Sequence, residues 1–221
     1  MHSTVKNLLD IKNNIKIHLN KLNIKNNPKI IAVSKTFKID KISPLIEYGH
    51  EDYGENKVQE ALEKWTEMKK TNSKIRLHMI GKLQTNKAKK AVQLFDFIHS
   101  LDNIKLATKI NQYEKELNKK VKLFIQVNVA NEEQKSGVQL NNLNNFYEFC
   151  TKNLSLNIIG LMCLPPISSD PSKYFEVLKK KSVELNLPDL SIGMSGDYDK
   201  AILFGSTYLR LGTAIFGERN I

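Results

Sequence analysis

Cysteine is scarce in this sequence: 221 residues hold two, Cys150 and Cys163. Neither falls in a C-x-x-C pair or a Cys/His spacing suited to a metal, so both are expected as buried, reduced thiols. Long apolar runs are missing as well. No window approaches the roughly 20 residues of a membrane span, and Met1–Asp10 carries no apolar stretch of the kind that opens a signal peptide. The expectation is a cytoplasmic chain with no membrane partner. There is no high-identity repeat, no linker and no low-complexity tract beyond Asn141–Asn145, so residues 1–221 are expected to form one domain.

What is present fits an ordinary globular protein, with 41% apolar and 26% charged residues. This length buries a sizeable core without staples. The formal charge of +11 raises the question of a nucleic-acid partner. The lysines, however, are spread over the whole chain and nowhere interleave with aromatics. They are therefore assigned to a solvated surface, with no specific nucleic acid expected.

Eight short apolar runs alternate with stretches of helical period, the mark of a parallel sheet. They are Lys29–Lys35, Asp52–Glu55, Leu77–Gly81, Phe95–Ser100, Lys122–Asn128, Asn157–Leu164, Asp189–Ser195 and Thr207–Leu211. Val58, Ala61, Leu62, Trp65 and Met68 form one helical stripe; Leu140, Leu143, Phe146 and Cys150 form another. Phe175, Leu178, Ser182 and Leu185 form a third, opened by Asp170 as N-cap and Pro171 at the first helical position. Eight such units predict a single (β/α)₈ TIM barrel, with an open doubly wound sheet as the alternative. After the eighth run only Gly212–Ile221 remain, so the last helix is expected to be truncated. An extra helix within residues 1–25, with Val5, Leu8, Ile11, Ile15, Leu19 and Leu22 on one face, could cover the gap.

Barrels of this kind carry their chemistry at the C-terminal strand ends. Lys35 follows the apolar run Ile30–Val33 in phase with Ile31 and Val33, where partial desolvation would leave its amine free to attack an aldehyde; a lysine snorkelling at a strand end is the plainer reading. Ser195-Gly196 is expected to open the helix after the seventh run, and Gly212-Thr213 lies past the eighth. Together they form a candidate phosphate cup, against the alternative of ordinary capping and a tight turn. Arg210 either pairs with a carboxylate on a neighbouring strand or faces a ligand ring. Asn56, at the end of the second run, is a further candidate but reads equally well as an N-cap with Gln59 as its capping-box partner. His78 is expected to be a strand histidine with a satisfied hydrogen bond, and Lys82–Lys90 a solvated helix face. Lys135-Ser136-Gly137 receives no task.

Ordered motifs recur along the chain: Ala32-Val33-Ser34-Lys35-Thr36, Gly54-Glu55-Asn56-Lys57-Val58-Gln59-Glu60, His78-Met79-Ile80-Gly81-Lys82-Leu83-Gln84-Thr85-Asn86-Lys87, Ile192-Gly193-Met194-Ser195-Gly196-Asp197 and Arg210-Leu211-Gly212-Thr213-Ala214-Ile215-Phe216-Gly217. Between them stand Gln126-Val127-Asn128-Val129, Lys135-Ser136-Gly137 and Gly160-Leu161-Met162-Cys163. Nearly end to end, this set resembles the YggS/PROSC family of pyridoxal-phosphate homeostasis proteins. The resemblance implies a barrel of the alanine-racemase N-terminal type that holds pyridoxal 5′-phosphate as a Schiff base on Lys35. It also implies phosphate contacts at Ser195, Gly212 and Thr213, and Arg210 near the pyridine nitrogen. The family usually has another residue where Gly196 stands, a change that should ease approach of a phosphate. The role implied is storage, protection or delivery of the cofactor, without turnover, by a monomer whose recipients are enzymes that depend on it. A racemase-like enzyme is the rival reading. It lacks a convincing second acid/base opposite Lys35, and in racemases of this fold that group comes from a further domain.

Overall fold

The computed structural model describes residues 1–25, 27–132, 134 and 136–218. The chain begins with helix α1 (Ser3–Lys21) and then alternates: β1 (Lys29–Val33), α2 (Ile39–Glu47), β2 (Asp52–Glu55), α3 (Val58–Thr71), β3 (Arg76–Met79), α4 (Ala88–Leu94), β4 (Phe97–Leu101), α5 (Ile104–Glu116) and β5 (Lys122–Asn128). It continues with β6 (Val138–Gln139), α6 (Leu143–Glu148), β7 (Ile158–Met162), α7 (Ser172–Glu184), β8 (Asp189–Met194), α8 (Tyr198–Leu203), β9 (Tyr208–Leu211) and α9 (Thr213–Phe216). Eight strands pair in parallel in the order β4-β3-β2-β1-β9-β8-β7-β5, and β4 pairs with β5 to close the ring. That closure rules out the open sheet. The two-residue β6, which the sequence did not announce, pairs with the end of β5 outside the ring.

Strands covered on both faces read as continuous apolar runs, and two cores result. The larger lies between barrel and helices and includes Trp65, Leu106, Phe175 and Leu209. A smaller one fills the barrel, with Ile31, Phe97, Phe124, Met162 and Tyr208. Val5, Leu8, Ile11, Ile15 and Leu19 of α1 are buried as expected, whereas Leu22 is exposed at the helix end. The truncated last helix is the four-residue α9, and α1 lies against it; Asn7 Nδ2 donates to Ile215 O at 2.9 Å. Among the described residues no helix is long and apolar enough to cross a membrane.

The elements depart from expectation in three places that matter for the site. First, β1 stops at Val33, so Lys35 sits in a turn beyond it. Second, α8 starts at Tyr198 with Asp197 as N-cap, so Ser195-Gly196 form a turn and do not open the helix. Asp197 Oδ1 accepts from Met194 N at 2.6 Å, which draws the chain back before the helix can begin. Third, α3 starts at Val58 with no side-chain cap, and Gln59 Nε2 donates to Glu63, so Asn56 is not an N-cap. Asp170 is not the N-cap of α7 and Pro171 is not its first residue: Pro171 takes the N-cap position without a side-chain cap bond and the helix opens at Ser172, whose N donates to Asp170 Oδ1 at 3.4 Å.

Candidate functional site

A cavity of about 700 Å³ opens at the C-terminal rim of the barrel, within the ordinary range for small-ligand sites. Lys35, Asn56, Ser195, Arg210, Gly212 and Thr213 all line it. They come from the ends of β1, β2, β8 and β9, so the topology gathers residues far apart in sequence. A larger cleft of about 1200 Å³ lies at the opposite end, lined by α1 and the starts of β1–β3; none of those six residues reaches it.

The Lys35 turn is held from below. Ser34 is fully buried, and its hydroxyl donates to Glu55 Oε1 at 2.7 Å. The same oxygen accepts from Trp65 Nε1 and Lys64 Nζ, each at 2.9 Å. Lys64 Nζ also donates to Ser34 O at 2.9 Å and to Glu60 Oε1 at 3.1 Å. Glu60 Oε1 in turn accepts from Thr36 N at 2.5 Å. Thr36 has φ of 67°, a left-handed conformation that is costly for a β-branched residue and persists only where its surroundings impose it. Anchors on both sides of Lys35 thus direct a half-buried side chain onto the cavity wall.

On the far side, Ser195 Oγ accepts from Gly212 N and Ala214 N, both at 3.2 Å. These backbone donors converge on one oxygen, the arrangement an anion would use. The helices nearby have only six and four residues, so the cup rests on amides and hydroxyls and owes little to a helix dipole. A Cβ at Gly196 would meet no protein atom within 4 Å, and one at Gly212 would only touch Val33. The protein's own packing therefore requires glycine at neither position. Gly81 and Gly137 differ. A Cβ at Gly81 would lie 2.7 Å from Asn56 Cα, and one at Gly137 would lie 2.6 Å from Asn128 N. Those glycines let loops approach along the rim.

Arg210 is almost wholly buried and makes no ion pair among the described residues. Its Nη1 donates to Ser191 O at 2.5 Å and to Ser191 Oγ at 2.6 Å, and its Nη2 donates to Cys163 O at 2.9 Å. The carboxylate pairing considered from the sequence is not made. Burial lowers its pKa to about 10, which still leaves a cation at neutral pH.

Other residues fall where the sequence did not put them. Lys82 lies on the cavity wall, not on a solvated helix face. Gln126, Asn128 and Ser136 also line the cavity; Gln126 Nε2 donates to Ser136 O at 3.1 Å, and Asn128 ties down the following loop through Glu132. Lys135 lies outside the described residues. His78 is a buried strand histidine, as expected, bonded to Asp52 and His99. Asp52, His99 and Ser191, inside the barrel, are not among the residues singled out from the sequence. Polar residues at otherwise apolar strand positions were the available signal. Both cysteines are buried and free, and burial raises each thiol to about 12.

With this geometry in hand, the chain can be compared with known proteins. The family model for the alanine racemase N-terminal domain matches residues 7–220, which defines the class of domain. The pyridoxal phosphate homeostasis protein of Aquifex aeolicus is 38% identical over 200 residues, covering 86% of this chain and 87% of the relative. That of Escherichia coli K12 is 34% identical over 200 residues, with 86% of each chain covered. PipY of Synechococcus elongatus, solved without and with PLP bound, superposes with TM-scores of 0.82 and 0.79 at 32% identity, covering 92% of this chain and all of PipY. The chain belongs to the family of pyridoxal phosphate homeostasis proteins.

Proposed function

We propose that this chain binds pyridoxal 5′-phosphate and takes part in its homeostasis by storing, protecting or delivering it. The observation that carries the reading is one cavity bounded by a lysine, a buried arginine and a cup of backbone amides. A phosphorylated pyridine aldehyde offers an electrophile, a ring acceptor and an anion to match them. Ser195, Gly212 and Thr213 would hold the phosphate, Arg210 would face the ring nitrogen, and Asn56 would border the ring. The Lys35 amine would hold the aldehyde carbon that the cofactor supplies, as a Schiff base formed with loss of water. PLP bound to PipY and the names of the curated relatives support this assignment.

The same cavity favours a non-enzymatic role. Among the described residues that line it there is no His, Tyr, Cys, Asp or Glu, and Lys82 is the described candidate for a second acid/base facing Lys35. Delivery to apo-enzymes that need the cofactor is the use we assign to a site that binds reversibly and does not turn over.

Borohydride reduction followed by mass mapping tests the reading. The adduct is expected on the peptide containing Lys35, and Lys35→Ala should lose the visible absorption. An adduct on Lys82 with Lys35 unmodified would overturn the assignment. Failure of the wild-type protein to bind the cofactor at all would remove the function.

A further inference from the structure

The barrel axis carries a continuous polar chain through an otherwise apolar interior. Arg210 Nη1 meets Ser191 Oγ at 2.6 Å, Ser191 Oγ meets His99 Nδ1 at 2.8 Å, and His99 Nε2 meets His78 Nδ1 at 3.0 Å. His78 Nε2 then meets Asp52 Oδ1 at 3.0 Å, and Arg76 grips that carboxylate with Nε at 2.8 Å and Nη2 at 2.7 Å. Ser191, His78 and His99 are wholly buried. His78 lies flat on Phe97 and His99 on Phe124, each with ring centres 4.3 Å apart, so neither ring can turn without disturbing the inner core.

Hydrogen-bond polarity fixes every proton along this path. Guanidinium only donates, so Ser191 Oγ accepts from Arg210; a hydroxyl can accept a second bond, and it is the ionised Asp52 at the other end, with both rings neutral, that directs the Ser191 proton to His99 Nδ1. His99 Nδ1 is then the bare nitrogen, and His99 Nε2–H donates to His78 Nδ1. His78 in turn presents Nε2–H to Asp52, which is held ionised by Arg76. The opposite polarity would have His99 Nδ1–H donate to Ser191 and His78 Nδ1–H donate to His99. Either a proton on Asp52 or a doubly protonated His78 would then be needed.

The charged groups around the two rings are Asp52, Arg76 and the more distant Asp96 on one side and Arg210 on the other. Burial lowers the pKa of both imidazoles, and that of His99 well below its usual value, in line with neutral rings. Burial pushes the Asp52 carboxyl up, but hydrogen bonds from His78 and Arg76 outweigh this and hold it below the usual carboxylate range. With His78 neutral, Arg76 supplies the charge in that balance.

We propose that Ser191, His99 and His78 are positioning residues that lock the Arg210 guanidinium in one orientation, through a one-way hydrogen-bond chain anchored on Asp52 at the far end of the barrel. The chain and the Cys163 carbonyl occupy three of the five guanidinium N–H donors. Two donors remain for the cavity, so the group met there is an acceptor such as an unprotonated ring nitrogen. This last step rests on the cofactor reading above; the chain itself does not.

Two measurements test it. Nitrogen-15 NMR of the imidazoles in the ligand-free protein, between about pH 5 and 8, should find His78 and His99 neutral and protonated on Nε2 throughout. An Nδ1–H form or a doubly protonated form of either ring in that range would overturn the chain. This measurement needs no variant and stands even if pyridoxal phosphate does not bind. In the second, Ser191→Ala is titrated with pyridoxal phosphate. Arg210 keeps its bonds to the Ser191 and Cys163 carbonyls, so the loosened guanidinium should weaken binding by up to about 10-fold, the size of one net hydrogen bond. The pH at which the bound ring's absorption changes should also rise, because a loosened Arg210 opposes ring protonation less. Ser191→Thr, which restores the hydroxyl, should recover both properties. A folded Ser191→Ala protein with wild-type affinity and pH profile would overturn the positioning role while leaving the cofactor reading intact.

Discussion

At the scale of single residues, Ser195 concentrates the chemistry of the proposed phosphate cup. Its Oγ is where the Gly212 and Ala214 amides converge. A hydrogen bond to a charged group is worth roughly 1.5–3 kcal/mol. Ser195→Ala should therefore weaken pyridoxal phosphate about 10- to 100-fold while the circular dichroism spectrum stays unchanged, and titration by absorbance checks this. Pyridoxal, which lacks the phosphate, should bind far more weakly to the wild type. Equal affinity for the two ligands would mean that the cup does not hold the phosphate. The six residues singled out from the sequence share one cavity because ligand-facing groups at strand ends leave a local imprint: a lysine after an apolar run, or glycine beside a hydroxyl. Asp52, His99 and Ser191 left no comparable imprint. Each looks like an isolated polar residue in its own strand, and only the strand order brings them into line.

Among elements, the β1–α2 turn shows why boundaries were harder to read than strands. Alternation carries on through Ser34 and Lys35, so the first strand seemed to reach Lys35. It ends at Val33 because Ser34 and Thr36 are captured by Glu55 and Glu60, carboxylates some 20 residues away that no local pattern reveals. By contrast, β2 and β5 have the bounds their composition indicates. Lys64 pairs with both carboxylates of this cluster, its side chain 9% exposed against 0% for Glu55. Removing one partner of a buried pair costs about 3–5 kcal/mol. Lys64→Ala should lower stability by that order in urea unfolding. It should also weaken the cofactor, because the turn bearing Lys35 loses its floor. A fully stable variant with slack binding would place Lys64 in ligand contact instead.

Over the whole molecule, the proposed non-enzymatic role, which goes with the lack of His, Tyr, Cys, Asp or Glu among the described residues lining the rim cavity, predicts no amino-acid turnover. Cα-proton exchange in D₂O, followed by NMR with a panel of amino acids, should not exceed that of a Lys35→Ala control. Exchange at an enzymatic rate that Lys35→Ala abolishes would favour the racemase-like reading. Residues 1–221 are proposed to act as one unit, with α1 as a structural member of the helix ring. Leu8 is fully buried, and Leu→Ala at such a site costs about 2–5 kcal/mol. Leu8→Ala should therefore shift the unfolding of the whole barrel, read identically by tryptophan fluorescence from Trp65 and by circular dichroism. Two separated transitions would show that α1 is an appendage.

The seat of α1 also has a consequence in time. Its partner α9 is the last helix among the described residues, and Asn7 bonds to a carbonyl 208 residues downstream. At about 5–20 residues per second, that carbonyl leaves the ribosome on the order of 10–40 s after the helix that needs it. Until then α1 can settle on α2 but not on α9. The nascent barrel would therefore pass through a stage with most of its strands made and its first helix only partly sheltered, the natural point for a chaperone to engage it. A circular permutant that places α1 directly after α9 would remove the wait.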